Sequence, residues 1–344
     1  MRAVVLHGAR DLRIEERETP VAGAGLVRLR VRRAGICGSD MHYYLHGRAG
    51  SFVLKRPFIL GHEFAGEVDA IGSGVDAGLL GRRVTVDPSM PCGTCEYCRT
   101  GRYNLCLFMK FFGSASTDPH IDGGFAQYVI APAANCFVLP ETVSWSAAAM
   151  TEPLSVTVHA LSRAQGVAGK SVAVIGGGAI GQLTALAARA FGARTVVLSD
   201  LADYPRQLAL KLGADAVIDA GDPASADAAI ADVQGGFHVV FEASGAPAAV
   251  GAAIGLARRG GTIVQIGTLA SDVAAPLNLI MARELSYLGT FRFANVFGTA
   301  LELLASGRVD VAPLVSATMP LAEADRAMRR AVGKDAVIKV QIEP

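Results

Sequence analysis

The chain has 344 residues, with 32 basic and 31 acidic side chains, a formal net charge of +1 and a hydrophobic fraction of 51%. This length suffices for two domains of about 100 to 200 residues each. The balanced charge, without a run of Lys and Arg, argues against nucleic acid or an anionic membrane surface as a partner. Charges such as Arg258 and Arg259 interrupt every stretch that approaches the ~18 apolar residues of a membrane span. Residues 1–11 lack the apolar core of a secretory signal. We therefore expect a soluble, cytoplasmic protein.

The pattern of the chain changes between Pro140 and Ser144. Before this point, short β-like segments separated by Gly and Pro occur at 3–6, 27–32, 65–71, 83–86 and 125–130. After it, apolar runs typical of parallel strands buried on both faces alternate with Ala-rich helical stretches, at 172–175, 195–198, 216–218, 239–241 and 262–266. Helical patterns at 296–306 and 321–332 and a strand-like 336–342 follow. The sequence predicts an α/β protein, with a mostly β region beside a parallel-sheet region.

A glycine-rich turn follows the first of these parallel strands. Gly176, Gly178 and Gly181 have GxGxxG spacing between the strand at 172–175 and a helical stretch at 182–191. The first glycine permits a tight turn, the second admits pyrophosphate, and the third allows close packing of helix and strand. Bound phosphates would lie at the helix N-terminus. The pattern predicts a dinucleotide site.

The acid after the second parallel strand indicates which dinucleotide binds. Asp200 lies about 20 residues beyond the glycines, where a carboxylate accepts hydrogen bonds from the adenosine ribose. A carboxylate there would repel the 2′-phosphate of NADP, so NAD is favoured. Arg206 is close enough in sequence to receive such a phosphate, which leaves NADP possible. Alternatively, Arg206 is a solvated residue at the start of a helix.

Four of the six cysteines are crowded between residues 92 and 106, at Cys92, Cys95, Cys98 and Cys106. In a cytosolic chain such crowding indicates a metal rather than disulfides. Four thiolates would close the coordination sphere of a structural zinc. Bacterial iron–sulfur motifs share the spacing of the first three cysteines, but their fourth cysteine follows after three residues and precedes proline. We favour zinc over an iron–sulfur cluster and over unligated buried thiols.

A second potential metal site is dispersed in sequence. Its members are Cys37, His62, Glu63 and Glu152. One thiolate, one imidazole and one carboxylate leave a coordination position for water or a substrate oxygen, which is typical of catalytic zinc. Spacing alone does not bring these residues together.

The motifs as a set carry a resemblance that covers nearly the whole chain. Gly61-His62-Glu63, with Gly66 and Gly72 following, resembles the signature of zinc-containing alcohol dehydrogenases in the medium-chain dehydrogenase/reductase superfamily. The cysteine lobe and the GxGxxG motif follow in the order of that family. The resemblance implies a GroES-like, mostly β catalytic domain at 1–147 and 290–344. It also implies a Rossmann domain, with a doubly wound parallel sheet that binds NAD, at 148–289.

The resemblance further implies roles for individual residues. Cys37, His62 and Glu152 would form the catalytic zinc site, and Glu63 is itself a ligand in sorbitol-dehydrogenase-like members. Which carboxylate binds directly therefore stays open. The predicted cofactor-binding residues are Gly176, Gly178, Ile180, Gly181, Asp200, Arg206, Ile266 and Arg292.

The implied proton path begins beside Cys37. Ser39 would hydrogen-bond the substrate hydroxyl, His42 would pass its proton to solvent, and Asp40 would orient the zinc-bound imidazole. Zinc would lower the pKa of the bound alcohol, which then transfers hydride to NAD.

Within the superfamily the chain resembles polyol dehydrogenases. Segments 109–115, 120–125 and 289–293 resemble the L-idonate 5-dehydrogenase subfamily, which interconverts L-idonate and 5-keto-D-gluconate. An aldonate carboxylate requires a cation for strong recognition, and the candidates are Arg48, Lys110 and Arg292. The alternatives are a sorbitol or xylitol 2-dehydrogenase, a threonine-dehydrogenase-like enzyme and, in a different class, a catalytically silent metal-binding relative.

Related polyol dehydrogenases also imply a homotetramer or homodimer. The apolar stretches 270–280 and 309–319 are candidate contacts between subunits, although either could equally be internal core.

Overall fold

The computed structural model describes residues 1–269, 272–333 and 336–344. They form two compact units. The first contains Met1–Glu152, Phe297–Gly307 and Val311–Pro344, and the second contains Pro153–Val296 and Arg308–Asp310. Over these described ranges, no helix is both long enough and apolar enough to cross a membrane. Ala270, the first residue of one stretch predicted to contact another subunit, lies outside the described residues.

The first unit is mostly β-structure, as predicted. Its strands before the second unit are β1 (Arg2–Gly8), β2 (Asp11–Glu16), β3 (Leu26–Gly35), β4 (Arg48–Ala49), β5 (Phe52–Val53), β6 (Phe58–Ile59), β7 (Glu63–Ile71), β8 (Arg83–Val86), β9 (Ser89–Met90), β10 (Lys110–Phe111), β11 (Tyr128–Pro132) and β12 (Cys136–Val138). Its helices there are α1 (Gly38–His46), α2 (Glu96–Arg99) and α3 (Trp145–Ala149). The strand predicted at 125–130 begins only at Tyr128, and Phe125 lies in the preceding loop, where it is fully buried and donates its N–H to Leu60 O.

Helix α4 (Thr151–Arg163) leads into the second unit. The strands of this unit are β13 (Ser171–Ile175), β14 (Thr195–Asp200), β15 (Ala216–Asp219), β16 (Phe237–Glu242), β17 (Ala257–Gln265) and β18 (Ser286–Gly289). Its helices are α5 (Ala179–Ala190), α6 (Asp203–Lys211), α7 (Pro223–Asp232), α8 (Pro247–Leu256) and α9 (Leu277–Ala282).

These strands form a sheet in the order β15-β14-β13-β16-β17-β18, with every pair parallel. The strand order reverses between β13 and β16, which confirms the predicted doubly wound fold and marks the crevice where such folds bind ligands. Sequence analysis missed β18, which has only partly buried and exposed residues and therefore no apolar run. Ile266, predicted inside a strand, lies just beyond β17.

The chain then returns to the first unit through α10 (Phe297–Ala305), β19 (Val315–Pro320), α11 (Ala324–Gly333) and β20 (Lys339–Glu343). The helix predicted at 321–332 starts as a 3₁₀ turn at Leu321–Glu323, and the final strand begins at Lys339 rather than at residue 336. Strand β20 pairs with β3, and β3 pairs on its other edge with β7. The C-terminal strand therefore lies one strand away from the Gly61-His62-Glu63 segment.

The three glycines of the dehydrogenase-like signature occupy crowded positions. A Cβ on Gly61, which has φ +95°, would lie 2.5 Å from the Phe125 ring. A Cβ on Gly66 would lie 2.4 Å from the carbonyl oxygen of Arg30, and one on Gly72 would lie 1.7 Å from that of Gly23. A side chain at Gly66 or Gly72 would collide with backbone, and one at Gly61 would collide with the Phe125 ring, so the signature reflects close packing around β7.

We predict that Gly72→Ala destabilises the first unit by about 2 kcal/mol, because its methyl group would overlap backbone that cannot move aside. The control is Gly23→Ala in the adjoining loop, whose Cβ would meet only Leu26 Cδ1 at 3.7 Å. Urea unfolding followed by the fluorescence of Trp145, the single tryptophan, measures both. Equal midpoints for the two variants would contradict this steric account.

Candidate active site

Cys37 is held at the start of helix α1. It is the N-cap residue, and its backbone N–H donates to Asp40 Oδ2 at 2.9 Å, as part of a capping box. The helix ends at Gly47, which has φ 64° and donates its N–H to the Tyr43 carbonyl. Both ends of the helix are thus fixed by local hydrogen bonds, which fixes the position of the thiol at its start.

The structure brings Cys37 together with His62 and Glu63. Their ligand atoms all lie within 4.8 Å of one another. His62 and Glu63 are buried, with exposed fractions of 6% and 1%. The Phe111 ring packs 5.6 Å from the His62 ring. Asp40 Oδ1 faces His62 Nδ1 at 3.8 Å, which is longer than a hydrogen bond.

Glu152 lies near this group but outside it. It occupies the first turn of α4 and is buried. Burial raises its pKa well above the usual range, while the neighbouring His62 acts in the opposite direction. Its carboxylate is not among the converging ligand atoms. The geometry therefore favours Glu63 over Glu152 as the carboxylate that contacts a metal directly.

The chemistry of this cluster fits zinc. Burial, and next the Glu63 carboxylate, raise the pKa of the Cys37 thiol to about 12, and burial also raises the pKa of Asp40. Glu63 Oε2 is buried and has no hydrogen-bond partner among the described residues, although it lies in ion-pair contact with Lys339. A divalent cation would stabilise the thiolate and be a partner for that oxygen.

Ser39 and His42 lie on one face of α1, three residues apart. Ser39 is partly exposed and His42 is exposed. The ring of His42 lies 6.0 Å from that of His46, one turn further on. This arrangement leads from the residues next to Cys37 towards solvent, and the proton relay itself stays a prediction.

The four-cysteine lobe forms a separate cluster. The ligand atoms of Cys92, Cys95, Cys98 and Cys106 lie within 4.8 Å of one another. Cys95 Sγ lies 3.5 Å from Cys98 Sγ, and both cysteines are free thiols. Backbone N–H groups point at two of the sulfurs, at 3.4 Å for Cys92 and 3.2 Å for Cys106. Hydrogen bonds from Thr94 and Cys95 lower the pKa of Cys92 to about 6. The set fits a closed, all-sulfur zinc site.

We predict that Cys98→Ser lowers bound zinc from about two ions to about one per chain and lowers Tm by several degrees, because closed zinc sites contribute directly to folding. Elemental analysis and calorimetry measure these changes. Cys136→Ser is the matched control, since Cys136 lies outside both clusters and donates to the Pro132 carbonyl. Two zinc ions in Cys98→Ser, or iron in the purified protein, would contradict the assignment.

The predicted glycine turn lies at the switch point of the second unit. Gly176 has φ +96° and donates its N–H to Ser199 O at 2.7 Å. Gly178 is the N-cap of α5, and a Cβ there would meet nothing within 4 Å. A Cβ on Gly181 would lie 1.7 Å from Gly176 O. The turn thus leaves open space at Gly178, where phosphate would approach the helix N-terminus.

Asp200 and Arg206 make contacts that bear on the choice of cofactor. Asp200 ends β14, and its Oδ2 accepts from Gly177 N at 2.6 Å. Arg206 donates to the Asp200 carbonyl at 2.9 Å and pairs with Asp219 Oδ1 at 2.9 Å. Only 13% of its side chain is exposed. A 2′-phosphate would have to compete with these acceptors for Arg206, which favours NAD.

The remaining predicted cofactor residues are also in the second unit. Ile180 lies in the first turn of α5 and is partly exposed. Ile266 donates its N–H to Glu242 O at 2.7 Å. Arg292 has φ 51°, and its guanidinium lies 4.9 Å from the centre of the Phe291 ring. Their roles in binding stay predictions.

Sequence analysis missed a buried polar network beside the glycine turn. Glu242 is fully buried and accepts hydrogen bonds from Ser244 N at 2.8 Å, Gly245 N at 3.0 Å and Gln265 Nε2 at 2.5 Å. It thereby orders the loops that follow β16 and β17. One acid at the end of an apolar run gives no sequence signal for this role.

Lys339 is a second residue of the candidate site that the sequence did not predict. It is 3% exposed and donates to Glu63 Oε1 at 2.7 Å. Burial acts to lower its pKa, but the Glu63 and Cys37 groups outweigh burial, so the pKa is raised. No motif surrounds Lys339 in the sequence, and only the pairing of β20 with β3 places it here.

Comparisons with known proteins agree with this architecture. The chain matches the family models described as Alcohol dehydrogenase GroES-like domain, over residues 23–141, and Zinc-binding dehydrogenase, over residues 179–306. It is 39% identical to sorbitol dehydrogenase from Bacillus subtilis, over 100% of this chain and 97% of the relative. The solved L-idonate 5-dehydrogenase from Escherichia coli has a TM-score of 0.93 and 34% identity, covering 100% of this chain and 98% of that chain. A zinc-binding dehydrogenase from Sinorhizobium meliloti, solved with NADP, has a TM-score of 0.89 and 35% identity, covering 100% and 99%.

Proposed function

The chain belongs to the zinc-containing, NAD(P)-linked medium-chain alcohol dehydrogenase family, and we propose that within its polyol and aldonate branch it oxidises L-idonate to 5-keto-D-gluconate with NAD. The observation that carries the zinc chemistry is the convergence of the partly exposed Cys37 with the buried His62 and Glu63. The subfamily-like segments, the relationship to sorbitol and idonate enzymes and the contacts of Arg206 support the finer assignment.

The proposed mechanism assigns each step to residues already described. When bound, zinc supplies a Lewis acid that acidifies the substrate hydroxyl, and NAD supplies the hydride acceptor. Cys37, His62 and Glu63 would hold the metal, with Glu152 beside them. Ser39 would accept the hydroxyl proton and His42, on the same helix face, would release it to solvent.

The second unit would hold the cofactor through its glycine turn. Gly176, Gly178 and Gly181 would receive the pyrophosphate, and Asp200 would bind the ribose hydroxyls. Ile180, Ile266, Arg206 and Arg292 complete the proposed set.

We propose residues 1–147 with 290–344 as the catalytic domain and residues 148–289 as the cofactor domain. We also place the enzyme in the cytoplasm, because its zinc-binding cysteines must stay reduced.

Among the three cations proposed to bind the acid end of the substrate, we propose Arg292 as the first to test. Lys110 is adjacent in strand β10 to Phe111, which packs on His62. Successive side chains in a strand point to opposite faces, so Lys110 faces away from that imidazole. Arg48 is exposed in the short β4–β5 hairpin. Arg292 instead has a positive φ, which the fold must maintain, and stacks on Phe291.

We predict the highest kcat/KM for L-idonate with NAD, in initial-rate measurements on idonate, sorbitol, xylitol and threonine, each with NAD and NADP. Arg292→Gln should lower kcat/KM for idonate by about 10- to 100-fold, the effect of losing a hydrogen bond to a charged group. Sorbitol, which lacks the carboxylate, should lose much less if Arg292 binds the substrate, whereas a role of Arg292 in binding NAD predicts equal losses for the two substrates.

Arg48→Gln and Lys110→Gln are the matched controls. If all three variants leave the idonate-to-sorbitol ratio unchanged, the role of a cation in substrate choice is wrong. A wild-type preference for sorbitol, xylitol or threonine would establish the corresponding alternative enzyme. No turnover of any of these substrates, together with a single zinc per chain, would identify a catalytically silent relative.

We also propose that the chain forms a homodimer or homotetramer through the β18 edge of the second unit. Within the described residues, β18 pairs only with β17. On helix α9, Leu277 and Met281 are 69% and 70% exposed. A groove of about 690 Å³ beside them is lined largely by apolar side chains, including Leu269 and Val273. An open strand edge next to exposed apolar side chains is a surface that a second copy would cover.

We predict that Met281→Lys lowers the molar mass measured by light scattering to that of a single chain or a smaller oligomer, because the charge would be buried in the contact. Leu107→Lys is the control, since Leu107 is similarly exposed, at 68%, in the cysteine lobe. A wild-type protein that is already monomeric would refute self-association.

A further inference from the structure

The catalytic cluster contains a buried cation that the family motif does not include. Lys339 Nζ donates to Glu63 Oε1 at 2.7 Å and to Ile36 O at 2.9 Å, and it also contacts Glu63 Oε2. Ile36 immediately precedes Cys37, while Glu63 immediately follows His62. The ammonium group therefore links the two chain segments that carry the converging ligands.

The fold provides space for this ion pair at Gly35. Strand β3 lies between β7 and β20, with Gly35 opposite both Glu63 and Gln341. A Cβ on Gly35 would lie 2.1 Å from Glu63 Oε2 and 3.1 Å from Lys339 Cε. The two side chains thus meet across a residue that has no side chain, and nothing larger than glycine fits between them.

The charges around the Lys339–Glu63 ion pair bear on how the site would bind a metal. Cys37, Glu63 and Glu152 are acidic groups within electrostatic reach of one another and of Lys339, and Asp40 is within reach of Cys37 and Glu63. A zinc ion at the converging ligands and the ammonium group of Lys339 would both attract the Glu63 carboxylate. They would also repel each other, since both are positive and the site is buried.

We propose that Lys339 is a positioning residue that competes with zinc for Glu63. By sharing the carboxylate, Lys339 weakens it as a zinc ligand and so leaves a coordination position accessible to substrate. Without Lys339, zinc would be the remaining cation beside Glu63. The metal would bind more tightly and Glu63 would obstruct the substrate position.

Loss of Lys339 in this role changes the rate of zinc release in the opposite direction from loss of a purely structural ion pair. Loss of a structural contact loosens the site and speeds zinc release. Loss of a competing cation removes repulsion and leaves Glu63 without a partner in the zinc-free protein, so zinc release slows. The direction of the change therefore distinguishes the two roles.

The test measures zinc release from the purified full-length protein to an excess of a chromogenic chelator. Lys339→Met, which keeps the length of the side chain but removes its charge, should slow zinc release by about tenfold or more, because breaking a buried pair leaves a strongly uncompensated charge. Lys339→Arg should release zinc at nearly the wild-type rate. In a Glu63→Gln background, Lys339→Met should slow release by much less than in the wild-type background, because only the direct repulsion between Lys339 and zinc is then lost.

Gln341→Met is the matched control on the same strand. Gln341 is fully buried but bonds to Ser146 rather than to Glu63. This variant should lose stability without slower zinc release. If Lys339→Met does not fold, Lys339→Gln replaces it, because the amide can still donate to Ile36 O without carrying charge. Zinc release at the wild-type rate or faster from the folded neutral variant would overturn the proposal.

A kinetic measurement adds a second readout. Lys339→Met should lower kcat and raise KM for the alcohol, while KM for NAD stays unchanged because the cofactor residues lie in the second unit. Only this readout rests on the proposed function. If the wild-type protein oxidises no polyol or aldonate, the proposed function fails, and zinc release still decides the role of Lys339. Equal changes in KM for alcohol and NAD would count against a role at Glu63.

Discussion

The antiparallel pairing of β3 with β7 on one edge and β20 on the other is the constraint on which the candidate active site depends. It aligns Gly35 with Glu63 and places Lys339 across the same strand. Cys37 lies two residues beyond Gly35, where the chain leaves the strand and begins helix α1. One segment of β-sheet thus positions a thiol, a carboxylate and an ammonium group without any of them being close to all the others in sequence.

The two potential zinc sites of the first unit differ in how their ligands are arranged and in whether the metal could bind a further ligand. The cysteine lobe takes its ligands from one short, partly exposed segment, where backbone N–H groups help to stabilise the sulfurs. The dispersed site takes ligands from separate elements and buries His62 and Glu63, so its carboxylate is costly unless a cation is present. The first arrangement suits a closed structural site, and the second suits a site that must admit a substrate oxygen.

In the second unit, the glycine motif lies beside a hydrogen-bond network that no sequence motif indicates. At the switch point, a Cβ on Gly176 or Gly181 would collide with neighbouring atoms, whereas the space around Gly178 is open. The neighbouring loops are held by Glu242 and Gln265, which are part of no fingerprint. The motif thus supplies the surface that approaches a phosphate, and the buried network keeps adjacent loops in place around it.

The sequence by itself determined the features that depend on local spacing. The parallel strands of the second unit, the glycine turn and the cysteine lobe all arise from residues close together along the chain, where periodicity and steric demand leave a readable pattern. The family signature could be read for the same reason, since crowding around β7 requires glycine at positions such as Gly66. Tertiary structure alone decided that Glu63, rather than Glu152, lies with Cys37 and His62, that Arg206 is paired with Asp219, and that Lys339 faces Glu63. These outcomes depend on contacts between separate elements, over 276 residues in the case of Lys339 and Glu63. A pairing between distant strands leaves no periodic trace in either strand that would identify its partner.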